Sequence, residues 1–152
     1  MLTKLYNRNA YDEWIKVNRR PEKAKIIIFD LNNLKQCNDT MGHAAGDTYI
    51  QNAAQIILHV FGNCGNCYRI GGDEFCVVIQ GNDHSDMEDL FRHMRQEQDE
   101  FNAKNAIPQI QIAYGYAEFD QETDRDIEDT RSRADDKMYQ KKREIKEGLK
   151  KK

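Results

Sequence analysis

Two short runs of strand-forming residues, separated by a four-residue turn, constrain the fold of this chain more than any other feature. The runs cover residues 66–70 and 75–80, and the turn between them reads Gly-Gly-Asp-Glu at residues 71–74. This arrangement predicts a β-hairpin in which glycine supplies the positive φ that a tight turn requires. Adjacent carboxylates on a turn repel each other unless a positive charge lies beside them, so the turn is also a candidate site.

Another carboxylate follows a very apolar run. Residues 26–29 are β-branched or aromatic and predict a buried strand over residues 25–30, which ends on Asp30. A buried, unpaired carboxylate costs several kcal/mol or shifts its pKa. If this strand lies beside the hairpin, Asp30 and Asp73 converge, and such oxygen ligands with positions left for phosphate oxygens suit Mg²⁺. A wet, Gly/Asp-rich turn without metal is the alternative.

Apolar spacing along the chain predicts the remaining elements. Helices are expected over residues 3–18, 34–39, 47–61, 85–104 and from Ile127 onward, and a further strand over residues 107–118. This mixed order with a central hairpin predicts an α/β (α+β) fold, with a mostly antiparallel central sheet flanked by helices.

Length and charge exclude several classes of protein. The 152 residues are expected to form a single domain, and no apolar run approaches the length of a membrane span. Residues 141–152 hold seven basic and two acidic residues, a net of +5, which leaves −8 for the rest of the chain. The chain therefore lacks the broad basic face of a nucleic-acid binder, and residues 147–152 are expected to form a basic tail. The four cysteines lack the spacing of a complete zinc site and are expected to be reduced thiols.

The turn residues resemble a family signature. Residues 71–75 spell the name of the GGDEF family, the diguanylate cyclases, and other stretches resemble motifs of that family in the same order. They are LTxLxNR at residues 2–8, DxDxFKxxND at 30–39, GHxxGD at 42–47, the Arg of RxGGDEF at Arg69, and ADxALYxAK at 134–142. The resemblance runs from residue 2 to about residue 146 and covers nearly the whole chain.

The resemblance implies a reaction and its setting. Two GTP molecules would condense into cyclic di-GMP and release two pyrophosphates, on a palm-like nucleotide cyclase fold that binds Mg²⁺, or Mn²⁺ in its place. Two domains would meet face to face, so a homodimer is expected for catalysis, whereas the isolated domain is compatible with a monomer. The chain is expected to be a cytoplasmic fragment of a longer protein with an N-terminal sensor or regulatory domain, and that parent protein can be membrane-anchored. No nucleic-acid partner and no membrane contact by this segment are expected.

The resemblance also implies which residues hold the metal and perform the chemistry. Asp30, the main-chain carbonyl of Leu31, and Asp73 would ligate the cation. Asp73 would also help to deprotonate the 3′-hydroxyl, and Glu74 would support the metal or orient the turn.

Substrate-binding roles follow from the same resemblance. They fall on Lys35, Asn38, Asp47, Gly71, Gly72, Lys142 and Lys146. Asn38 and Asp47 match the base-binding pair, and a carboxylate that accepts from guanine N1–H and N2–H₂ would discriminate against ATP. A helix N-terminal cap is the alternative role for Asp47. The lysines match positions that contact phosphates, and the two glycines allow the backbone to approach the nucleotide.

The chain departs from the family pattern in four places, since Leu34 stands in place of Phe and Lys146 in place of Arg, in addition to the two departures that follow. Asn32 replaces the second Asp of DxD, and residues 62–65 lack the Arg and the Asp of the RxxD motif that binds product in many members. No product inhibition through that site is therefore expected. Two alternatives to an active cyclase remain: a catalytically weak or degenerate GGDEF module that binds GTP or cyclic di-GMP for regulation, and a non-enzymatic dimerisation domain. The intact turn acids favour the enzyme.

Overall fold

The computed structural model describes residues 5–104 and 109–150, and these ranges contain five strands and five helices. In chain order the elements are β1 Leu5–Tyr6, α1 Arg8–Val17, β2 Ala24–Leu31, α2 Leu34–Met41, α3 His43–Phe61, β3 Asn66–Arg69, β4 Glu74–Gln80, α4 Met87–Lys104, β5 Ile112–Glu118 and α5 Ile127–Lys150. The predicted α+β fold is confirmed, and the predicted hairpin is formed by β3 and β4.

The five strands form one sheet in the order β1-β3-β4-β2-β5. Only the short pair β1–β3 is parallel among the described strands, and the other three pairs are antiparallel. The β2–β4 register places Asp30 directly opposite Glu74. The apolar strand therefore lies beside the hairpin, which meets the condition under which the sequence analysis expects their acids to converge.

The central strand β2 is covered on both faces, which explains its uninterrupted apolar run. Because strand side chains alternate between faces, Ile27 and Phe29 pack into the core beneath α3 and α4. Ile26 and Ile28 pack into the opposite core, beneath α1 and α5. The sheet is thus the middle layer of three, and the carboxyl end of β2 is buried between the helical layers.

The start of the first predicted helix is wrong. Residues Leu5 and Tyr6 pair in parallel with Cys67 and Tyr68 as strand β1, and residues 3 and 4 of that prediction lie outside the described residues. Asn7 is the N-cap of α1, because its side-chain oxygen accepts a hydrogen bond from the main-chain N–H of Ala10 at 2.9 Å.

The helix predicted over residues 47–61 begins earlier, at His43. Gly42, at φ 88°, makes the corner between α2 and α3 alone, a conformation that glycine adopts without a steric penalty. Gly46 is therefore inside the helix, not at its start. The strand predicted over residues 107–118 begins at Ile112 as β5, and residues 107 and 108 of that prediction lie outside the described residues.

The last helix extends into the predicted C-terminal tail, and the cysteine thiols are free. Helix α5 continues to Lys150, so residues 147–150 of the predicted tail are helical. All four cysteines are free, and burial raises the pKa of the Cys67 thiol to about 12, which makes it unreactive at neutral pH. Within the described ranges, no helix combines the length and the apolar composition needed to cross a bilayer.

Candidate active site

The turn between β3 and β4 carries two of the candidate acids. The main-chain N–H groups of Ile70 and Gly71 both donate to the carbonyl of Glu74, at 3.0 and 3.2 Å, and close the turn. The prediction that its glycines adopt positive φ is wrong, because the described glycines with positive φ lie elsewhere. A Cβ at Gly72 would meet no atom within 4 Å, so glycine leaves open space above the turn.

Two arginine side chains donate hydrogen bonds to main-chain carbonyls of this turn and of the residue before it. Arg69 donates to the carbonyls of Gly71 and Gly72 at 3.3 and 2.9 Å. Arg8, from the start of α1, donates to the carbonyl of Ile70 at 3.0 Å. Neither role was predicted from the sequence, because each arginine belongs to a quoted motif but a motif does not reveal the partner of its residues.

Asp30 lies at the end of β2, with only 4% of its surface exposed. Its Oδ2 accepts a hydrogen bond from Lys142 Nζ at 3.3 Å, whereas its buried Oδ1 has no hydrogen-bond partner among the described residues. The next residue, Leu31, donates its main-chain N–H to the carbonyl of Asp73 at 2.9 Å. The end of the buried strand is thus fastened to the acidic turn, and one carboxylate oxygen remains unpaired there.

The pKa values of two acids at this site, Asp30 and Glu74, are both raised. Burial raises the pKa of Asp30, the charge of Asp73 raises it further, and Lys142 opposes both. Burial also raises the pKa of Glu74, with the charges of Asp135 and Asp30 adding to the effect. Arg131 opposes these effects at Glu74. Both carboxylates are therefore held in surroundings that disfavour their charged form, which a bound cation would stabilise.

The residues fit a divalent cation. Mg²⁺ is commonly held by one or two carboxylates together with substrate phosphates, and it keeps several waters. Asp30 supplies a buried oxygen without a partner, and Asp73 supplies a second carboxylate beside it. Among the residues that the structure describes, no three His, Cys, Asp or Glu side chains already surround a single point, so the remaining ligands would have to come from the main chain, water or substrate.

Close helix packing brings Lys142 to Asp30. A Cβ at Gly115 on β5 would lie 2.3 Å from the main-chain nitrogen of Met138, so glycine lets α5 rest directly on the strand. Lys142 follows Met138 by one helical turn, and Lys146 stands exposed one turn further on. This packing role of Gly115 was not predicted from the sequence. Its signal was a glycine inside a predicted strand, which often marks close backbone approach.

The two predicted base-binding residues lie at the crossing of α2 and α3. A Cβ at Gly46 would lie 1.7 Å from Asn38 Oδ1, so glycine is required here for space. Asn38 therefore lies against the residue that precedes Asp47, which is exposed. The alternative that Asp47 caps a helix is wrong, because the N-cap of α3 is Gly42. Lys35 is exposed in the first turn of α2.

Asn32 is unusual in this region because its polar side chain is buried. It is 1% exposed, and in the part of the chain that the structure describes neither its Oδ1 nor its Nδ2 has a hydrogen-bond partner. Its backbone is held firmly: the N–H donates to the Gln111 carbonyl at 2.8 Å, and the carbonyl accepts from the Tyr49 hydroxyl at 2.7 Å. Two residues after Asp30, the chain thus places a second buried side chain with unpaired polar atoms.

Comparison with known proteins identifies related chains. The model of the family described as "Diguanylate cyclase, GGDEF domain" matches residues 1–147. Diguanylate cyclase DgcS of Shewanella oneidensis is 37% identical over 89 residues, which cover 55% of this chain and 30% of that protein. Diguanylate cyclase A of Treponema denticola is 29% identical over 146 residues, which cover 93% of this chain and 37% of that protein. The chain thus spans about a third of the length of these curated relatives.

A solved structure supports the same relationship. The active GGEEF domain of a diguanylate cyclase from Vibrio cholerae superposes with a TM-score of 0.65 and is 26% identical in sequence. The match covers 90% of this chain and 85% of that domain. The layers, the sheet and the hairpin described above are therefore those of a known fold.

Proposed function

Because this chain belongs to the diguanylate cyclase GGDEF-domain family, we propose that it condenses two GTP molecules into cyclic di-GMP and releases two pyrophosphates. The observation that carries the proposal is the buried carboxylate of Asp30, whose Oδ1 has no partner beside the acids of the GGDEF turn. A carboxylate kept in this state is costly to a merely structural domain and useful to one that binds a cation.

Asp30 and Asp73 are the proposed ligands of Mg²⁺, or of Mn²⁺ in its place, with the carbonyl of Leu31 as a further donor. When bound, the cation neutralises negative charge on phosphate oxygens during the displacement. Glu74 stands opposite Asp30 in the sheet register, where it supports the metal-binding carboxylates and orients the turn.

Binding of GTP divides between two parts of the site. Lys142, already beside Asp30, can turn toward a phosphate oxygen once another cation takes its place, and Lys35 and Lys146 are exposed for the same task. Asn38 and Asp47 are proposed to recognise guanine, because a carboxylate and an amide match its donor and acceptor edge. The open space over the glycine turn accommodates the nucleotide backbone.

The reaction requires two such half-sites. The 3′-hydroxyl of one GTP attacks the α-phosphorus of the other, the bond to pyrophosphate breaks, and the hydroxyl proton is accepted by the Asp73 carboxylate. A second attack of the same kind closes the ring. The chain carries one set of these acids, so we propose a homodimer as the active form, with the remainder of a longer parent protein helping to pair the domains.

The test is direct formation of product. The chain is incubated with GTP and Mg²⁺, and cyclic di-GMP is identified by chromatography and mass. Asp73→Asn is expected to abolish product, whereas the matched variant Asp99→Asn, on an exposed position of α4, should behave like the wild type. Absence of product from the wild type at every protein concentration, with GTP bound, would instead support the degenerate binding module.

The half-site mechanism has its own measurement. The rate per domain should rise with protein concentration and level off where the dimer predominates. A rate per domain that does not change over a wide concentration range would rule out catalysis between two transiently paired domains.

A further inference from the structure

Gly46 occupies a helical position at which alanine would favour the helix more. It lies in the first turn of α3, is buried, and donates its N–H to the carbonyl of Gly42 at 3.2 Å. Its φ is not positive, since positive φ among the described glycines is confined to Gly42 and Gly81. A glycine inside a helix destabilises it relative to alanine. The backbone therefore does not require glycine here, and the reason lies in what a side chain would meet.

The atoms that a side chain on Gly46 would meet belong to Asn38, in the last turn of α2. An added Cβ would lie 1.7 Å from Asn38 Oδ1, 2.8 Å from Cγ and 3.4 Å from Nδ2. The first two distances are too short for any pair of non-bonded atoms. The three nearest atoms are all in the side-chain amide and none is in the main chain. An alanine would therefore displace the amide of Asn38, whereas the two helices can stay where they are.

No hydrogen bond competes with this packing for the orientation of the Asn38 amide. The main-chain carbonyl of Asn38 accepts a hydrogen bond from the N–H of Gly42 at 2.9 Å, but its side-chain amide makes none with another residue that the structure describes. The contact with Gly46 places Oδ1 against α3 and leaves Nδ2 farther from it. The absence of a side chain at Gly46 thus decides where the amide can lie.

The same contact sets the distance between the two proposed base-reading groups. Asp47 follows Gly46 directly in α3 and is exposed, and Asn38 is half-buried against the same turn of that helix. Guanine offers two adjacent donors, N1–H and the 2-amino group, and an acceptor at N3. A carboxylate accepts from the donors, and an amide can both donate to N3 and accept from the 2-amino group. These bonds form together only if the amide rests close to the helix that carries the carboxylate.

We propose that Gly46 is a positioning residue for guanine: because it has no side chain, the Asn38 amide can lie where, together with Asp47, it recognises the edge of the base. This inference rests on the proposed function, since it takes Asn38 and Asp47 as the groups that bind guanine. It adds that selectivity for the base depends on a residue that acts only through another side chain. Gly46→Ala should accordingly weaken recognition of guanine without weakening the fold.

Two nucleotides that differ only in the 2-amino group test this proposal. GDP and inosine diphosphate are titrated calorimetrically in MgCl₂, and neither can release pyrophosphate, so binding is measured without turnover. The wild type should bind GDP at least about tenfold more tightly than inosine diphosphate, because the latter leaves polar groups of the site unpaired. In Gly46→Ala and in Asn38→Ala this ratio should fall to about threefold or less.

Three controls separate positioning from a structural role. The double variant of Asn38→Ala with Gly46→Ala should match Asn38→Ala alone, because the added Cβ then has no amide to displace. Gly148→Ala adds a Cβ with no atom within 4 Å to a glycine of α5, and it should match the wild type. The thermal unfolding midpoint of Gly46→Ala should equal or exceed that of the wild type, because alanine favours the helix.

The outcomes that overturn the inference are distinct from those that overturn the proposed function. A ratio that falls in Asn38→Ala but not in Gly46→Ala would overturn the role of Gly46 alone. Equal losses of affinity for both nucleotides in Gly46→Ala, with a lower unfolding midpoint, would make Gly46 a purely structural residue. An unchanged ratio in Asn38→Ala would remove Asn38 from base recognition in the proposed function, and the inference would fall with it.

Discussion

Two aspartates of this molecule are equally buried but differ in how completely their carboxylates are hydrogen-bonded. Asp30, beside the hairpin, and Asp124, before α5, are each 4% exposed. Asp124 accepts hydrogen bonds from the Thr130 hydroxyl and the Asp120 N–H at 2.9 Å each, and it forms an ion pair with Arg133. The Asp30 carboxylate accepts a hydrogen bond from Lys142, and its Oδ1 has no hydrogen-bond partner among the described residues.

Their pKa values differ accordingly. Burial acts to raise the pKa of Asp124, but the hydrogen bonds from Arg133, Asp120 and Thr130 outweigh it, and the pKa is lowered. At Asp30 burial and the charge of Asp73 outweigh Lys142, and the pKa is raised. Burial alone therefore does not mark an active site. The mark is a buried carboxylate that the protein leaves incompletely paired.

The largest expected difference between the two aspartates is in catalysis. Asp30→Asn removes a proposed metal ligand and should lower the rate of cyclic di-GMP formation by about 100- to 1,000-fold, the usual effect of losing one group that stabilises transition-state charge. Asp124→Asn, compared at equal concentrations of folded protein, should retain the wild-type rate. Near-normal turnover by Asp30→Asn in a chromatographic assay would remove Asp30 from the machinery.

Stability should show the reverse order. Asp124→Asn deprives Arg133 of its partner, and we expect a loss of about 2 kcal/mol in the free energy of unfolding, less than for a fully buried pair because Arg133 is partly exposed. Asp30→Asn should not lower the free energy of unfolding in the absence of metal, since the charge it removes is poorly paired. Urea denaturation of both variants measures the difference. Equal losses would show that Asp30 is a structural residue.

The pH dependence of stability should separate the pair further. A raised native pKa means that folded Asp30 binds a proton more tightly than the unfolded chain, so its contribution is full below the usual value of 3.8 and is lost as the pH rises through the raised pKa. Asp124, with a lowered pKa, contributes above 3.8 and loses its contribution as the pH falls toward the lowered value.

Urea midpoints recorded in metal-free buffer between about pH 3 and 7 test this, with each Asn variant as the reference for its own aspartate. The stability of wild type relative to Asp30→Asn should fall as the pH rises. The stability of wild type relative to Asp124→Asn should fall as the pH drops. The same sign for both differences would contradict the comparison.

The smallest expected effect concerns Lys142, whose ammonium group pairs with the Asp30 carboxylate. Lys142→Met removes a positive charge that competes with metal for Asp30, so Mn²⁺ should bind to the nucleotide-free domain up to about fivefold more tightly. Lys141→Met, on the neighbouring position of α5, pairs with Glu144 in the wild type and serves as the control. Electron paramagnetic resonance of free Mn²⁺ gives both affinities, and weaker binding by Lys142→Met would show that Lys142 organises the site instead of competing for it.

Local signals in the sequence were sufficient for most of the fold. The apolar run of β2 predicts a buried strand and the turn at residues 71–74 predicts a hairpin, because each signal lies within a few neighbouring residues, whereas only the structure shows that the two lie side by side. The two-residue strand β1 could not be predicted, since it pairs with Cys67 and Tyr68 far along the chain. The corner at Gly42 was also missed, because a helix periodicity does not locate a single residue at which one helix ends and the next begins.

The site divides in the same way. Motif residues identified the candidate acids, but not the hydrogen bond from Arg8 to Ile70 that supports their turn. Nor could motifs indicate that Gly115 lets α5 rest on β5, or that the amide of Asn32 is buried without partners. Each of these depends on atoms that meet only after the layers have packed.

The amino-acid sequence by itself determined four of the five described strands, the acids of β2 and of the hairpin turn, and the family to which the chain belongs, because strand and turn preferences act between near neighbours. The tertiary structure alone decided that Asp30 is buried with one oxygen unpaired and that its partner is Lys142, 112 residues away. The physical reason is that burial and pairing depend on how helices and sheet pack together, and no local pattern records the distance between residues so far apart in the chain.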